Sequence, residues 1–187
     1  MASSVETLRN LPAVFSTADF VRVTATSDSG TRSALLRLTE RNWIKPAGPR
    51  TGLFYNLFLE PRAAENRALE AVRRLYPSAT VVGAAVLHAH GWTTQIPHET
   101  DVAVLTRRSV KQFDGIHLIG RPRPWFVALM HSGELLRTTA SPFAIESVTP
   151  AFALVDARQH GDVWLPDADD LELPVELPDT NHAVQTT

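Results

Sequence analysis

Residues 16–57, STADFVRVTATSDSGTRSALLRLTERNWIKPAGPRTGLFYNL, are the stretch whose reading decides the fold. Ser16 or Thr17 can act as an N-cap, because a side-chain oxygen there accepts from backbone N–H groups left free in the first helical turn. Phe20 and Val23 follow at helical spacing. Thr24 to Ser27 has the turn chemistry that ends one helix and caps the next. The second helix is expected from about Asp28 to Arg41. On a wheel of roughly 3.6 residues per turn, Ala34, Leu35 and Leu38 form an apolar stripe. Ser29, Ser33, Arg37 and Glu40 face away from it, and Arg32 and Arg41 flank it.

Trp43 and Ile44 then open a short apolar strand, and Leu53 to Leu57 form another. The intervening Lys45 to Gly52 holds two prolines, two glycines, Lys45 and Arg50. Pro and Gly between two β-prone runs give a hairpin with a longer loop. A hairpin with a cationic tip after two helices reads as a winged helix-turn-helix. Such a module places a helix in a DNA groove, with Ser29, Arg32, Ser33, Arg37 and Arg41 near the reading face. Lys45 and Arg50 would reach phosphate or the minor groove. An amphipathic helix can also be only a packing helix.

The charge pattern extends this outward. The chain of 187 residues carries a net charge of −2. Residues 1–62 hold eight Lys/Arg against five Asp/Glu, and the remainder holds ten against fifteen. A cationic module beside an acidic remainder fits one part on phosphate and another on a different partner. The chain has no cysteine, which excludes disulfides and thiolate chemistry. No apolar run approaches the ~20 residues needed to cross a bilayer. The opening MASSVETLRN has no apolar signal core, so a cytoplasmic protein is the simplest reading.

The rest reads as a mixed α/β domain, giving an α+β chain overall: a winged helix over 1–60, an α/β domain over 61–165 and an acidic, Pro-containing tail over 166–187. Arg62 to Tyr76 has amphipathic helical spacing. The run ATVVGAAVLHAH (79–90) is apolar nearly all round and ends at Gly91, so it is expected to be a buried helix. Val102–Thr106, Ile116–Ile119, Trp125–Met130 and Phe143–Ile145 read as strands. Thr149-Pro150 is a helix start, cap then proline in the first turn. After Arg158 no Lys or Arg occurs, and seven acids follow from Asp162 to Asp179. That segment is either a solvated tail or a docking segment for a basic surface.

Catalytic and metal chemistry finds little footing in these motifs. Seven histidines stand at 88, 90, 98, 117, 131, 160 and 182, without an HExxH or a cluster at ligand spacing. On a helix His88 and His90 would point about 160° apart. GxSxG, P-loop and GxGxxG patterns do not occur. Asp101 and Asp114 form an isolated carboxylate pair with no adjacent base. We therefore expect no catalytic residue, metal or cofactor. Arg107, Arg108, Lys111, Arg121 and Arg123 form a second basic set, for phosphate or an acidic partner, or are ordinary loop charges.

Over about residues 8–172 the chain resembles the AbiEi family of antitoxins from type IV toxin–antitoxin systems. The resemblance begins with the winged-helix run and is more specific in AAVLHAHGWTTQIPHETDVAVL and SVTPAFALVDA. Family members carry a Leu-x-x-His-Gly-Leu-Thr element, a Gln-Ile-Pro step and a Thr/Ser-Pro-x-x-x-Leu-x-Asp helix start. Here these fall on Leu87, His90, Gly91, Trp92 and Thr93, on Gln95, Ile96 and Pro97, and on Thr149, Pro150, Leu154 and Asp156. Trp92 departs from the commoner Leu. The resemblance implies a winged helix that binds double-stranded operator DNA and represses its own operon. It also implies a C-terminal domain that neutralises a nucleotidyltransferase-like toxin, with or without binding it directly. A stand-alone transcriptional regulator, an enzyme with a His/acid site in the second domain, and a protein-interaction module are the alternatives.

Overall fold

The computed structural model describes residues 3–106 and 110–172. Its first part runs α1 (Ser4–Arg9), β1 (Val14–Ser16), α2 (Thr17–Thr24), α3 (Asp28–Glu40), β2 (Ile44–Pro46) and β3 (Leu53–Asn56). The strands form an antiparallel sheet in the order β1-β3-β2. Local chemistry fixes the helix starts. Ser16 Oγ accepts from Asp19 N while Asp19 accepts from Ser16 N, a reciprocal cap. Ser27 caps α3 through Gly30 N. Ala25, left-handed at φ 52°, ends α2. Phe15, Phe20, Leu35, Leu38 and Ile44 bury one core with Leu8 and Leu11 of the α1 region. Asn56, fully buried, ties α1 to the hairpin by donating to the carbonyls of Leu8 (2.8 Å) and Leu11 (3.3 Å).

The other face of this small sheet belongs to a second core. Val14, Ala47, Leu53 and Tyr55 pack with Val72, Val81, Val104 and Phe113, so apolar burial is continuous across residue 60. The segment beyond comprises α4 (Ala63–Asn66), α5 (Ala68–Leu75), β4 (Thr80–Val81), α6 (Ala84–Ala89), β5 (Thr100–Leu105), β6 (Ile116–Arg121), α7 (Arg123–Ser132), β7 (Leu135–Leu136), β8 (Ser147–Val148) and α8 (Pro150–His160). A short 3-10 turn, Ala168–Asp170, follows. The five strands are ordered β6-β5-β4-β8-β7, with β5–β6 and β4–β8 parallel and the other pairs antiparallel. The described chain is therefore mixed α+β with two sheets.

Four expected elements take a different form. The apolar run 79–90 is not one helix. Thr80 and Val81 form a strand, Gly83 turns the chain at φ 68°, and only Ala84–Ala89 is helical. A run buried on all sides carries no periodicity that separates the two states. Residues 125–130 are helix, not strand: Pro122 precedes α7, Pro124 lies in its first turn and Gly133 ends it at φ 79°. The helix expected from Arg62 to Tyr76 is broken at Arg67 into α4 and α5. The strand expected at Phe143–Ile145 lies at Ser147–Val148 instead. The Thr149-Pro150 start is as read, with Thr149 Oγ1 accepting from Phe152 N.

The start of the acidic tail folds back. Leu171 bridges to Thr93, Glu172 N donates to Trp92 O (2.9 Å), and Gln95 Nε2 donates to Asp170. Glu176 and Asp179 lie outside the described residues.

Candidate functional site

Helix α3 buries Thr31, Leu35 and Leu38 and rests on α2 and β2. Its other side carries Ser29, Arg32, Ser33, Leu36 and Arg37, all exposed. Thirteen residues make a rod about 20 Å long. Ser33 Oγ donates back to Ser29 O (3.1 Å), leaving the two arginines as the long polar arms of this face. Arg41 lies just past the helix, its guanidinium 5.3 Å from the Trp43 ring centre. Leu36 is 62% exposed, an apolar residue in the middle of a polar face.

The hairpin loop is anchored rather than free. Lys45 Nζ lies 3.2 Å from Asp114 Oδ2 of the second part. A methyl group on Gly48 would sit 2.1 Å from the carbonyl oxygen of Gln112. Burial first, and Asp114 second, push the Tyr55 hydroxyl up to about 12. Lys45 thus has a carboxylate partner already, and among the expected hairpin cations Arg50 is the exposed one without a described ion pair, held at φ 56°.

The second basic set does not assemble as expected. Arg121 is 3% exposed and faces inward. Its Nη2 donates to Asp156 Oδ2 (3.2 Å) and Asp162 Oδ1 (2.7 Å), and its Nη1 donates to Asp162 Oδ2. It is a buried counter-ion, not a phosphate contact. Arg123 is exposed at the start of α7, Lys111 is half-buried, and Arg107 and Arg108 lie outside the described residues. Asp156 also accepts from Trp125 Nε1 (2.6 Å) and pairs with His160 Nδ1 (3.1 Å). The bonds from Arg121 hold the Asp162 carboxyl below the usual range. Burial alone would lower the Arg121 pKa, but its two carboxylates outweigh that and raise it.

A cavity of about 700 Å³ opens beside this network. Its floor is a pair that sequence reasoning missed. Asp101 on β5 and His117 on β6 are register partners, so both side chains leave the same face. His117 Nδ1 stands 2.8 Å from Asp101 Oδ1. Asp101 is 6% exposed, and burial drives its pKa up despite the bond to His117. Sixteen residues separate the two, and only the strand register brings them together. Asp114, paired with Asp101 in the sequence reading, lies instead beside Lys45. His88 bonds Thr93 O through Nδ1 (3.3 Å), and His90 is exposed. Among the described residues no three His, Asp or Glu side chains are grouped to hold a metal ion, and no helix is long and apolar enough to cross a membrane. No protein-family model and no curated protein matches the chain.

Proposed function

We propose that the chain is a DNA-binding repressor and that residues up to Asn56 act as a winged helix. The observation that carries this reading is α3. It is packed by one stripe only and presents Ser29, Arg32, Ser33 and Arg37 outward. Its rod shape and arginine arms suit a major groove about 12 Å wide. The element order helix–strand–helix–helix–strand–strand, with strand order β1-β3-β2, supports the same reading. The ion pair of Lys45 with Asp114 shifts the hairpin's share of phosphate contact to Arg50.

The test uses the full chain, because the two parts share a core. Binding to the DNA upstream of its own gene is measured between 50 and 200 mM salt. Affinity should fall steeply, with a log–log slope of about −0.9 per phosphate contact. Arg37→Ala or Arg32→Ala should weaken binding, and one of them should change preference at a single base, since a bidentate arginine–guanine contact discriminates by about 1–3 kcal/mol. Salt-independent binding, or helix substitutions that act uniformly across a randomised site library, would remove α3 as the reader.

The antitoxin role rests on the family resemblance. It is supported further by the acidic character of the second part, which suits a job other than phosphate binding. Growth rescue in cells expressing a neighbouring nucleotidyltransferase-like toxin tests it. Failure of the full chain to rescue leaves a plain transcriptional regulator.

A further inference from the structure

We infer that the cavity floored by Asp101 is a binding site for an organic cation, a guanidinium or alkylammonium group. Three features on its walls converge. The first is an unmatched carboxylate oxygen. Asp101 Oδ1 takes the bond from His117, while Oδ2 has no hydrogen-bond partner among the described residues. Asp101 lines the cavity although it is more than nine-tenths buried, and Gly83, which has no side chain, leaves room beside its Oδ2.

The second feature is the sign of the charge. Glu99, Asp101 and Asp162 line the space, and no Lys or Arg is among its described walls. Asp162 is already matched by Arg121, which leaves Glu99 and Asp101 to act on an occupant. A phosphate or carboxylate ligand would meet like charge at close range. The third is the apolar rim. Trp164 is 51% exposed and Ile96 77% exposed, both on this cavity. An indole face attracts a cation through its quadrupole, and the attraction grows when water is excluded. A guanidinium also presents planar paired donors, which suit a carboxylate held at the bottom of a cleft. Several His, Asp and Glu residues line this space, but among the described residues no three of them are grouped to hold a metal ion, which favours an organic cation as the occupant. The site stands independently of the DNA-binding reading, since α3 and the hairpin contribute none of its walls.

The experiment titrates the full chain with Nα-acetyl-argininamide and with its neutral isostere, Nα-acetyl-citrullinamide, following Trp164 and His117 by NMR. The arginine compound should shift both signals saturably, and the citrulline compound should bind at least tenfold more weakly. Asp101→Asn and Trp164→Leu should each weaken the arginine compound at least fivefold, with circular dichroism confirming that both variants are folded. An Arg-containing pentapeptide capped at both ends forms a second arm. Tighter binding of the peptide assigns the cation to a protein partner, and equal binding assigns it to a small molecule. Equal affinity for the charged and neutral compounds overturns the inference. So does unchanged affinity in folded Asp101→Asn, or saturable binding that leaves Trp164 unmoved.

Discussion

Replacing Arg121 by Met tests the buried network. Arg121 is 3% exposed, and Asp156 has a side chain 2% exposed. Removing one partner of such a pair leaves the other charge buried and typically costs about 3–5 kcal/mol. Two observations reduce that figure. The Asp156 carboxylate keeps its bond from Trp125 Nε1. Arg121 Nε is buried without a partner, so its removal relieves a penalty of about 1–3 kcal/mol. The Asp162 contact adds little, because that carboxylate is 41% exposed. The expected net loss is about 2 kcal/mol, which at about 2–4 °C per kcal/mol for a chain of this size lowers Tm by roughly 4–8 °C.

The pH dependence sharpens the test. In the parent protein Asp162 is held below its usual pKa, so its stabilising share is present near neutrality and fades as pH falls through its lowered value. The variant lacks that share at every pH, having no guanidinium beside Asp162. The gap between the two should therefore narrow below about pH 4. Adding Asp156→Asn to Arg121→Met should recover part of the loss at pH 7, since Asn still offers Trp125 an acceptor. Thermal and urea denaturation at pH 7 and below pH 4 read this out. A loss under ~0.5 kcal/mol at pH 7, a gap that widens in acid, or a double variant no better than the single one would refute the account.

Asp101→Asn should be more stable than the parent at pH 7. Burial raises the Asp101 pKa, so its favourable share is complete in acid and is lost as pH rises through the raised value. The gain should vanish below about pH 4, and a variant less stable at pH 7 argues against it. Gly48→Ala should cost about 1–3 kcal/mol, because the Gln112 carbonyl it would strike is backbone and cannot swing aside. An unchanged melting temperature would mean that the loop is not held on the second part. Asp114→Asn should free Lys45 and steepen the salt dependence of DNA binding, by up to about 0.9 in log–log slope. An identical slope would show that Lys45 stays away from DNA even when released.

The parts legible in the sequence were those set by neighbours along the chain. Ser16 with Asp19, Ser27 with Gly30, and Thr149 before Pro150 each place a cap within three residues of its partner. Those bonds need no knowledge of the fold. Residues 79–90 were misread because burial on several sides removes the alternation that marks a strand and the stripe that marks a helix, and residues 125–130 because aromatic and β-branched side chains suit a strand, although in α7 Leu129 is the buried one among them. Pro122 and Pro124 were the available signal for α7, since proline is tolerated in a first helical turn but not inside a sheet. The inward turn of Arg121 had no local signal. RPRP reads as a basic loop until Asp156 and Asp162, thirty-five and forty-one residues away, are placed against it.

The same long-range placement separates two kinds of acid in the second part. Asp156 and Asp162 share one guanidinium, and their charge is answered where it lies. Among the described residues Asp101 has a hydrogen bond from His117 through one oxygen, and it is left with a raised pKa on the wall of a cavity. A fold selected for stability alone gains nothing from that arrangement, because an amide at position 101 would keep the bond to His117 without the cost of a buried charge. Gly83 strengthens the point: at φ 68° its missing side chain leaves room for Asp101 Oδ2, which a Cβ would approach to 2.8 Å. Backbone geometry and a destabilising charge thus meet at one oxygen, the pattern expected where a carboxylate is kept for what it binds.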